Sequence, residues 1–407
     1  MEPVHLVGED FDVVVDIERG VPVVVHWGRH LADGVPSTDP LERPLVHGAP
    51  DAIAPVSVVP EHGAGFPGRP GLLGHRRRGR AWAPQFAPHT HELSDGRLSV
   101  TCRDEVAELA LTVTFEIGAA LVVGAELTNL GSDRYLLDGL TITLPVPQHA
   151  AEIGSFTGRW TRELHPIRVP WPHGTHLVEN RRGRTSHEYP PLVFAGTPGF
   201  REWSGSVWGV HTAWSGNHTQ LADRLPDGRR YLQVGELLHP GELSLGPAES
   251  YRTPEVVAVH SDAGLTPATQ RFHRHLRSRP SHPTTPRPVL VNTWEAVYFD
   301  HDIDRLQALA DRAAQVGAER FVLDDGWFGS RRDDTSGLGD WVVSPEAHPR
   351  GLGPLIEHVT GLGMEFGLWV EPEMVNPDSD LYRAHPDWAL TTDGYEPVLS
   401  RQQLVLD

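Results

Sequence analysis

Between Arg277 and Pro288 the chain carries four prolines, at positions 280, 283, 286 and 288, and almost nothing apolar besides. Each proline fixes φ and removes a backbone donor, so the stretch is extended and exposed and joins two units instead of belonging to either. The hydrophobic pattern changes across it, and 407 residues exceed one ordinary domain. We divide the chain into a first unit over 1–276, a linker over 277–288 and a second unit over 289–407.

The first unit reads as β structure. The β-branched runs Val13 to Ile17 and Val23 to Trp27 are separated by Arg19-Gly20, a hairpin-like break. Further strands are expected at Arg97 to Arg103, Leu109 to Ile117, Leu121 to Asn129, Tyr135 to Leu144, Val207 to Trp214, Tyr231 to Val234 and Glu255 to His260. Gly, Pro and Asn punctuate them at Gly118, at Asn129 to Asp133 and at Pro145-Val146-Pro147. Many short strands with such punctuation describe a large β-sandwich. Pro267 to Leu276 is weakly helical.

After the linker, strands alternate with helices. Val289 to Asn292 is followed by a helix that Asp302 can cap, with Ile303, Leu306, Leu309, Ala310, Ala313 and Val316 inward and Gly317 closing it. The strand Phe321 to Asp324 follows. Pro354 opens a helix with Leu355, Ile356, Val359 and Leu362 inward, ended by Gly363. Strand Phe366 to Val370 and a short helix from Asp378 to Ala384 complete a βαβαβα pattern, the start of a parallel barrel or open sheet. A closed eight-stranded barrel takes about 250 residues. Far fewer remain after the linker, and Leu404-Val405-Leu406-Asp407 starts another apolar segment with no helix after it. The expectation is a fragment whose barrel is incomplete.

Composition removes several function classes. The formal charge of −19 comes with no basic run apart from Arg76-Arg77-Arg78-Gly79-Arg80, read as a solvated loop. Phosphate-rich partners need clustered Lys and Arg, so neither nucleic acid nor an anionic membrane is an expected partner. Cys102, the one cysteine, lies in an alternating run and reads as a buried, inert thiol. The N-terminus has no basic and apolar leader pattern, and no run reaches 18 apolar residues, so the expected location is the cytoplasm. The 24 histidines show no metal-ligand spacing and read as scattered surface residues, and no cofactor or metal is expected.

The chemistry concentrates where the apolar run Phe321-Val322-Leu323 breaks into Asp324-Asp325-Gly326-Trp327-Phe328. Carboxylates at the C-terminal end of a buried parallel strand occupy the usual ligand face of an α/β barrel. Two flanking strands also end in Trp and acid, at Asn292-Thr293-Trp294-Glu295 and at Leu368-Trp369-Val370-Glu371. Taken alone, the paired aspartates fit a helix-capping turn as well as a sugar site. Oxygen ligands also suit Mg²⁺ or Ca²⁺, but adjacent side chains on a strand point apart and no supporting ligand set is present. Trp327, Trp341 and Trp388 serve core or rim, and Trp388 is assigned to the core.

At these residues the chain resembles the retaining α-galactosidases of glycoside hydrolase family 36. The motifs that carry the resemblance are Asn292-Thr293-Trp294-Glu295-Ala296-Val297-Tyr298-Phe299-Asp300, Phe321 to Gly329, Gly367 to Asn376, and Tyr382-Arg383-Ala384-His385-Pro386-Asp387-Trp388. Gly183-Arg184-Thr185-Ser186-His187, Trp214-Ser215-Gly216-Asn217 and Glu249 to Val256 add matches in the β part. The resemblance implies a multidomain β plus α/β fold, with an N-terminal β-supersandwich followed by the first strands and helices of an incomplete (β/α)₈ TIM barrel. It implies that Asp324 and Asp325 accept hydrogen bonds from the 4- and 6-hydroxyls of galactose. Trp294 and Trp369 would wall the pocket, and Arg401 would bind a hydroxyl near the reacting centre.

The partner implied is an α-galactoside oligosaccharide, and a homo-oligomer, a tetramer in this family, is implied by resemblance alone. The family's nucleophile lies in a Lys-Trp-Asp motif and its acid/base is a later aspartate, and this chain contains neither motif. The two-carboxylate mechanism needs both, about 5–5.5 Å apart. No catalytic residue is therefore assigned within the chain, and the chain alone is expected to be inactive. Glu371 and Glu373 flank Pro372 after the strand has ended and are given supporting roles, and Asp407 precedes the nucleophile's strand. Ser400-Arg401-Gln402-Gln403 departs from the family's Gly-Arg-Asn-Gln. The alternatives are an α-N-acetylgalactosaminidase, a galactosyl-transferring relative, or a non-catalytic galactoside-binding module.

Overall fold

The computed structural model describes residues 3–32, 47–48, 53–392, 394–399 and 401–406. It divides into two compact units, Met1–His282 and Pro283–Asp407, and the dividing point falls inside the proline-rich stretch.

In the first unit the runs Leu109–Ile117 and Leu121–Asn129 pair antiparallel across the Gly118 turn, with Leu109 opposite Asn129 and Ile117 opposite Leu121. Burial in Leu121–Asn129 alternates residue by residue, as a half-buried strand requires. These strands lie within a ten-stranded sheet that runs from the hairpin Glu152–Arg159 and Arg162–Pro170 to the edge strand Ala87–Ser94. A four-stranded sheet orders Ile142–Val146, Arg230–Glu236, His218–Arg224 and Gly174–Asn180. Leu98, Val113 and Phe115 of the larger sheet share one core with Leu144, Leu232 and Val234 of the smaller, so the sheets pack as a sandwich. Cys102 is fully buried in that core, and its thiol donates to the Gly20 carbonyl.

Three readings of this unit are corrected. Tyr135 to Leu144 is two strands, Tyr135–Leu140 and Ile142–Val146, which join different sheets. The chain crosses between them at Thr141, whose N–H donates to the Gly71 carbonyl outside either ladder. Arg76 is not solvated. It is buried, and its guanidinium donates to the Ala107 carbonyl and to Asn129 Oδ1 at 2.9 and 2.8 Å. The weakly helical tail is a full helix, Leu265–Ser278, anchored by buried Ala268.

The second unit begins with β1 (Leu290–Asn292), a single helical turn α1 (Trp294–Val297) and α2 (Ile303–Gln315). It continues with β2 (Arg320–Leu323), α3 (Gly353–Gly361) and β3 (Glu365–Leu368). The three strands form a parallel sheet in the order β1-β2-β3, with Asn292 beside Val322 and Leu323 beside Leu368. Asp302 caps α2 by accepting from the Arg305 N–H at 2.9 Å. Leu306, Ala310 and Ala313 carry the buried face of α2, and Leu355 and Val359 that of α3. Gly317 and Gly363 close the two helices at φ of 85° and 83°.

Not every expected inward residue points inward. Val316 is 81% exposed because it lies just past the last helical turn, and Ile356 and Leu362 are 36% and 38% exposed on the flank of α3. Trp388 is not a core residue: it is 47% exposed and stacks on His385, with ring centroids 4.0 Å apart. The apolar segment Leu404-Val405-Leu406 does not enter the parallel sheet. Leu404–Val405 (β5) pairs antiparallel with Met374–Val375 (β4), and the short helix α4 (Asp380–Ala384), capped by Ser379, lies between them in the chain. Asp407 lies outside the described residues.

Candidate functional site

The parallel register brings the C-terminal ends of β1, β2 and β3 to one edge of the sheet. Three of the expected site residues lie at these strand ends: Asp324 follows β2 and Trp369 follows β3 directly, while Trp294 comes after Thr293 at the end of β1. Asp324 and Asp325 are 7% and 5% exposed, an unusual burial for two adjacent acids. Each has a separate set of partners. Asp324 Oδ2 accepts from Asn292 Nδ2 at 2.5 Å, and its N–H donates to Thr293 Oγ1 at 3.0 Å. Its other oxygen accepts from the Asp325 N–H at 2.7 Å. β1 therefore supplies the residues that aim the acid at the end of β2.

Asp325 is held by Arg331, which sequence reasoning missed. The Arg331 side chain is 1% exposed. Its Nε donates to both carboxylate oxygens at 2.9 and 3.1 Å, and Nη2 donates to Oδ2 at 2.8 Å. Arg331 also donates to Asn376 Oδ1 at 3.0 Å, and its guanidinium carbon lies 5.6 Å from the centroid of the Phe299 ring. Such a fork matches a carboxylate bidentately, which is why arginine and not lysine suits this place. Burial pushes the Asp325 carboxyl above its usual range, and Arg331 opposes that rise.

The aromatic frame is tied to the same edge. Trp369 N–H donates to the Leu323 carbonyl at 3.0 Å, and the buried Trp327 indole donates to the Trp369 carbonyl at 2.9 Å. Trp294 begins α1, its N–H donating to Asn292 Oδ1 and its ring meeting Phe299 edge-on at 5.2 Å. Trp294 and Trp369 are both half-buried. Arg401 stands farther out. Its side chain is 51% exposed and reaches the cluster through Asp334, with Nη2 3.9 Å from Oδ1. Asp334 is in turn 3.5 Å from Arg331. The structure thus gathers all five expected residues at one end of the sheet. Asp324 and Asp325 form its centre, and Arg401 connects to Asp325 only through Asp334 and Arg331.

Two histidines form a second missed feature, against the expectation of surface histidines. His301 and His348 are 6% and 5% exposed, with Nδ1 of the first 3.3 Å from Nε2 of the second. Burial, then the neighbouring His348 and Arg332, push His301 down to about 4. His348 is lowered too, by burial first and Arg332 second. Of the supporting acids, Glu371 is half-buried and Glu373 is exposed, and the Glu373 carbonyl accepts the Leu406 N–H at 3.0 Å. Among the described residues no group of three or more His, Cys, Asp or Glu is arranged to hold a metal ion. No helix there is long and apolar enough to cross a membrane. A cavity of about 690 Å³ lies in the first unit beside Trp27, His149, Trp208 and His260, and none of the expected site residues lines it.

Comparison with known proteins places this geometry. Residues 20–246 match the family model of the glycosyl hydrolase family 36 N-terminal domain, and residues 250–407 match that of melibiase. An alpha-galactosidase of Escherichia coli is 44% identical over 391 residues, which is 94% of this chain and 55% of the relative. The alpha-galactosidase AgaA of Geobacillus stearothermophilus is 37% identical over 326 residues, 78% of this chain and 44% of the relative. The chain thus spans about half the length of these curated relatives. A crystal structure of a variant of AgaA in complex with 1-deoxygalactonojirimycin superposes with a TM-score of 0.88 at 30% identity, covering 100% of this chain and 61% of that one. The sandwich, the strand-end acids between their tryptophans and both family matches agree on one assignment: the chain belongs to glycosyl hydrolase family 36.

Proposed function

We propose that the protein carrying this chain is a retaining α-galactosidase, which removes terminal non-reducing α-galactose from oligosaccharides, and that this chain supplies the galactose-binding part of its site. The observation that carries the reading is the pair of buried carboxylates, Asp324 and Asp325, at the end of β2 between Trp294 and Trp369. A carboxylate offers about four lone-pair positions. Asn292 and Arg331 leave part of that capacity open while fixing the direction of each group. Galactose differs from glucose by its axial 4-hydroxyl. A charged acceptor aimed at that hydroxyl rejects the epimer by leaving a buried acceptor unpaired, at a cost of about 1–3 kcal/mol.

The substrate class is supported by the relatives: crystal structures of AgaA variants were solved with raffinose and with stachyose. The nucleophile and the acid/base of the reaction have no counterpart in the motifs of this chain, so its own contribution is binding and orientation.

Calorimetric titration with melibiose, and with its gluco-configured counterpart isomaltose, tests the reading. Asp324→Asn should weaken melibiose binding by roughly 5- to 150-fold, the range that 1–3 kcal/mol spans, and should erode the preference over isomaltose. If the Asp324→Ala/Asp325→Ala protein keeps that preference, the assignment of the site is wrong.

A further inference from the structure

The buried histidine pair has no part in the roles assigned above, yet it lies directly against the turn that aims the two acids. Gly326 follows Asp325 with φ of 107°, and a Cβ built there would lie 3.1 Å from the Phe299 ring and 3.3 Å from His301 Nε2. That nitrogen is buried and has no hydrogen-bond partner of normal geometry, and the nearby Asp325 and Tyr298 backbone favours a proton on the ring less than burial, His348 and Arg332 oppose one. On the other side Arg332 Nη1 donates to the Gly326 carbonyl at 2.8 Å, and Nη2 donates to the Gly329 carbonyl at 3.3 Å. The Asp324-Asp325-Gly326 turn therefore rests on an imidazole and is clasped by a guanidinium.

The Nδ1···Nε2 contact between His301 and His348 requires one ring to donate and the other to accept, which two neutral imidazoles satisfy. A further proton would put a second positive charge next to Arg332 in a space sheltered from water. The other charged groups around the pair do not balance it. Asp300 and Asp302 are exposed, the first paired with Arg305 and the second capping α2. Glu346 is 77% exposed with its carboxylate 3.9 Å from Arg332, Tyr298 is exposed and bonded to Glu295, and Asp325 is committed to Arg331.

We propose that His301 and His348 are positioning residues of the sugar site: as a neutral pair they support Gly326 and so aim Asp324 and Asp325, and protonation of the pair releases the turn and weakens galactoside binding in acid. This rests on the galactose reading of Asp324 and Asp325. The pair is no catalytic group. It touches the turn, not the sugar, so its signature is in how binding depends on pH and on the epimer offered.

The test is titration of melibiose into the protein from pH 7 to pH 4, with three comparisons. Affinity should fall over that interval, with the histidine pair contributing about twofold by pH 4, where His301 is half protonated. In the His301→Phe/His348→Leu protein, which cannot take a proton at either ring, that twofold part of the fall should be missing. Superimposable pH profiles would overturn the proposal. His301→Ala, which removes the support, should lower the melibiose-to-isomaltose preference at pH 7. An unchanged preference in a protein with a native melting curve would also overturn it. Should the double variant not fold, ¹⁵N resonances of the histidine rings in the unmodified protein decide the matter. Because the neutral pair favours sugar and sugar favours the neutral pair, melibiose should move the His301 titration to lower pH. A midpoint indifferent to the sugar counts against the inference. Asp324→Asn at pH 7 separates the two ideas: undiminished melibiose affinity there removes the galactose reading itself, whatever the histidines do.

Discussion

Replacing Arg331 by methionine keeps most of the side-chain volume and removes one charge from a site with almost no access to water. The guanidinium makes three bonds of 2.8–3.1 Å to Asp325 and a fourth, at 3.0 Å, to Asn376. In the variant Asp325, 5% exposed, is a buried anion without its cation. Breaking such a pair from one side costs about 3–5 kcal/mol, most of it the uncompensated charge and not the lost bonds. The sign with pH follows from Asp325. Burial already raises its carboxyl above the ordinary range, and without Arg331 it rises further. A carboxylate raised in the folded state destabilises above its folded pKa, and that loss is relieved as pH falls through it.

The variant should therefore lag the parent most at pH 7.5 and less at pH 5, because acid relieves the carboxylate that only the variant buries without a cation. Urea unfolding at both pH values, together with hydrogen exchange of peptides over residues 320–343, reads the effect at its source. Arg331→Met/Asp325→Asn should recover much of the loss, because no buried charge remains. A loss below roughly 1 kcal/mol at pH 7.5, or one that is equal at pH 5, would show that the pair is not the desolvated contact described here.

Two further outcomes are expected. Asp302→Ala removes the α2 cap that accepts from Arg305 N–H, and should cost about 1 kcal/mol, measured as an earlier urea midpoint of the second unit. An unchanged midpoint would mean that water or a neighbour caps α2 equally well. Burial pushes the Cys102 thiol up to about 12, so a thiol reagent at pH 8 should label it only in denaturant. Labelling of the native protein at the rate of the unfolded chain contradicts that burial.

The sequence made some of this legible and hid the rest for physical reasons. Leu109–Ile117 and Leu121–Asn129 could be read because one face of each is buried, which writes a period of two into the residues. Ala87–Ser94 and Arg162–Pro170 could not, because both faces of each strand are largely exposed and no such period is selected. Tyr135 to Leu144 read as one strand because a chain that changes sheets at Thr141 stays buried or half-buried throughout. At the site, Asp324 and Asp325 stood out by interrupting an apolar run. Arg331 did not, since Arg331-Arg332-Asp333-Asp334 has the composition of a solvated loop, and only the fold reveals that one of the four is sealed. His301 and His348 are 47 residues apart, so no local spacing could join them.

The amide of Asn376 has consequences for how this edge can change. It is fully buried, and it accepts from Arg331 and from the Leu338 N–H while donating to the carbonyls of Asp334 and Gln402. The long segment after β2 and the turn before β5 thus meet on one planar group whose oxygen and nitrogen cannot trade places without breaking every link. Gln402 and Arg401 both adopt left-handed backbone, with φ of 61° and 51°, a shape that a free loop would readily abandon. Their geometry is borrowed from that joint. An insertion on either side is then tolerated only if it leaves the Gln402 carbonyl in register, and a shift there is transmitted through a single carboxamide to the guanidinium that grips Asp325.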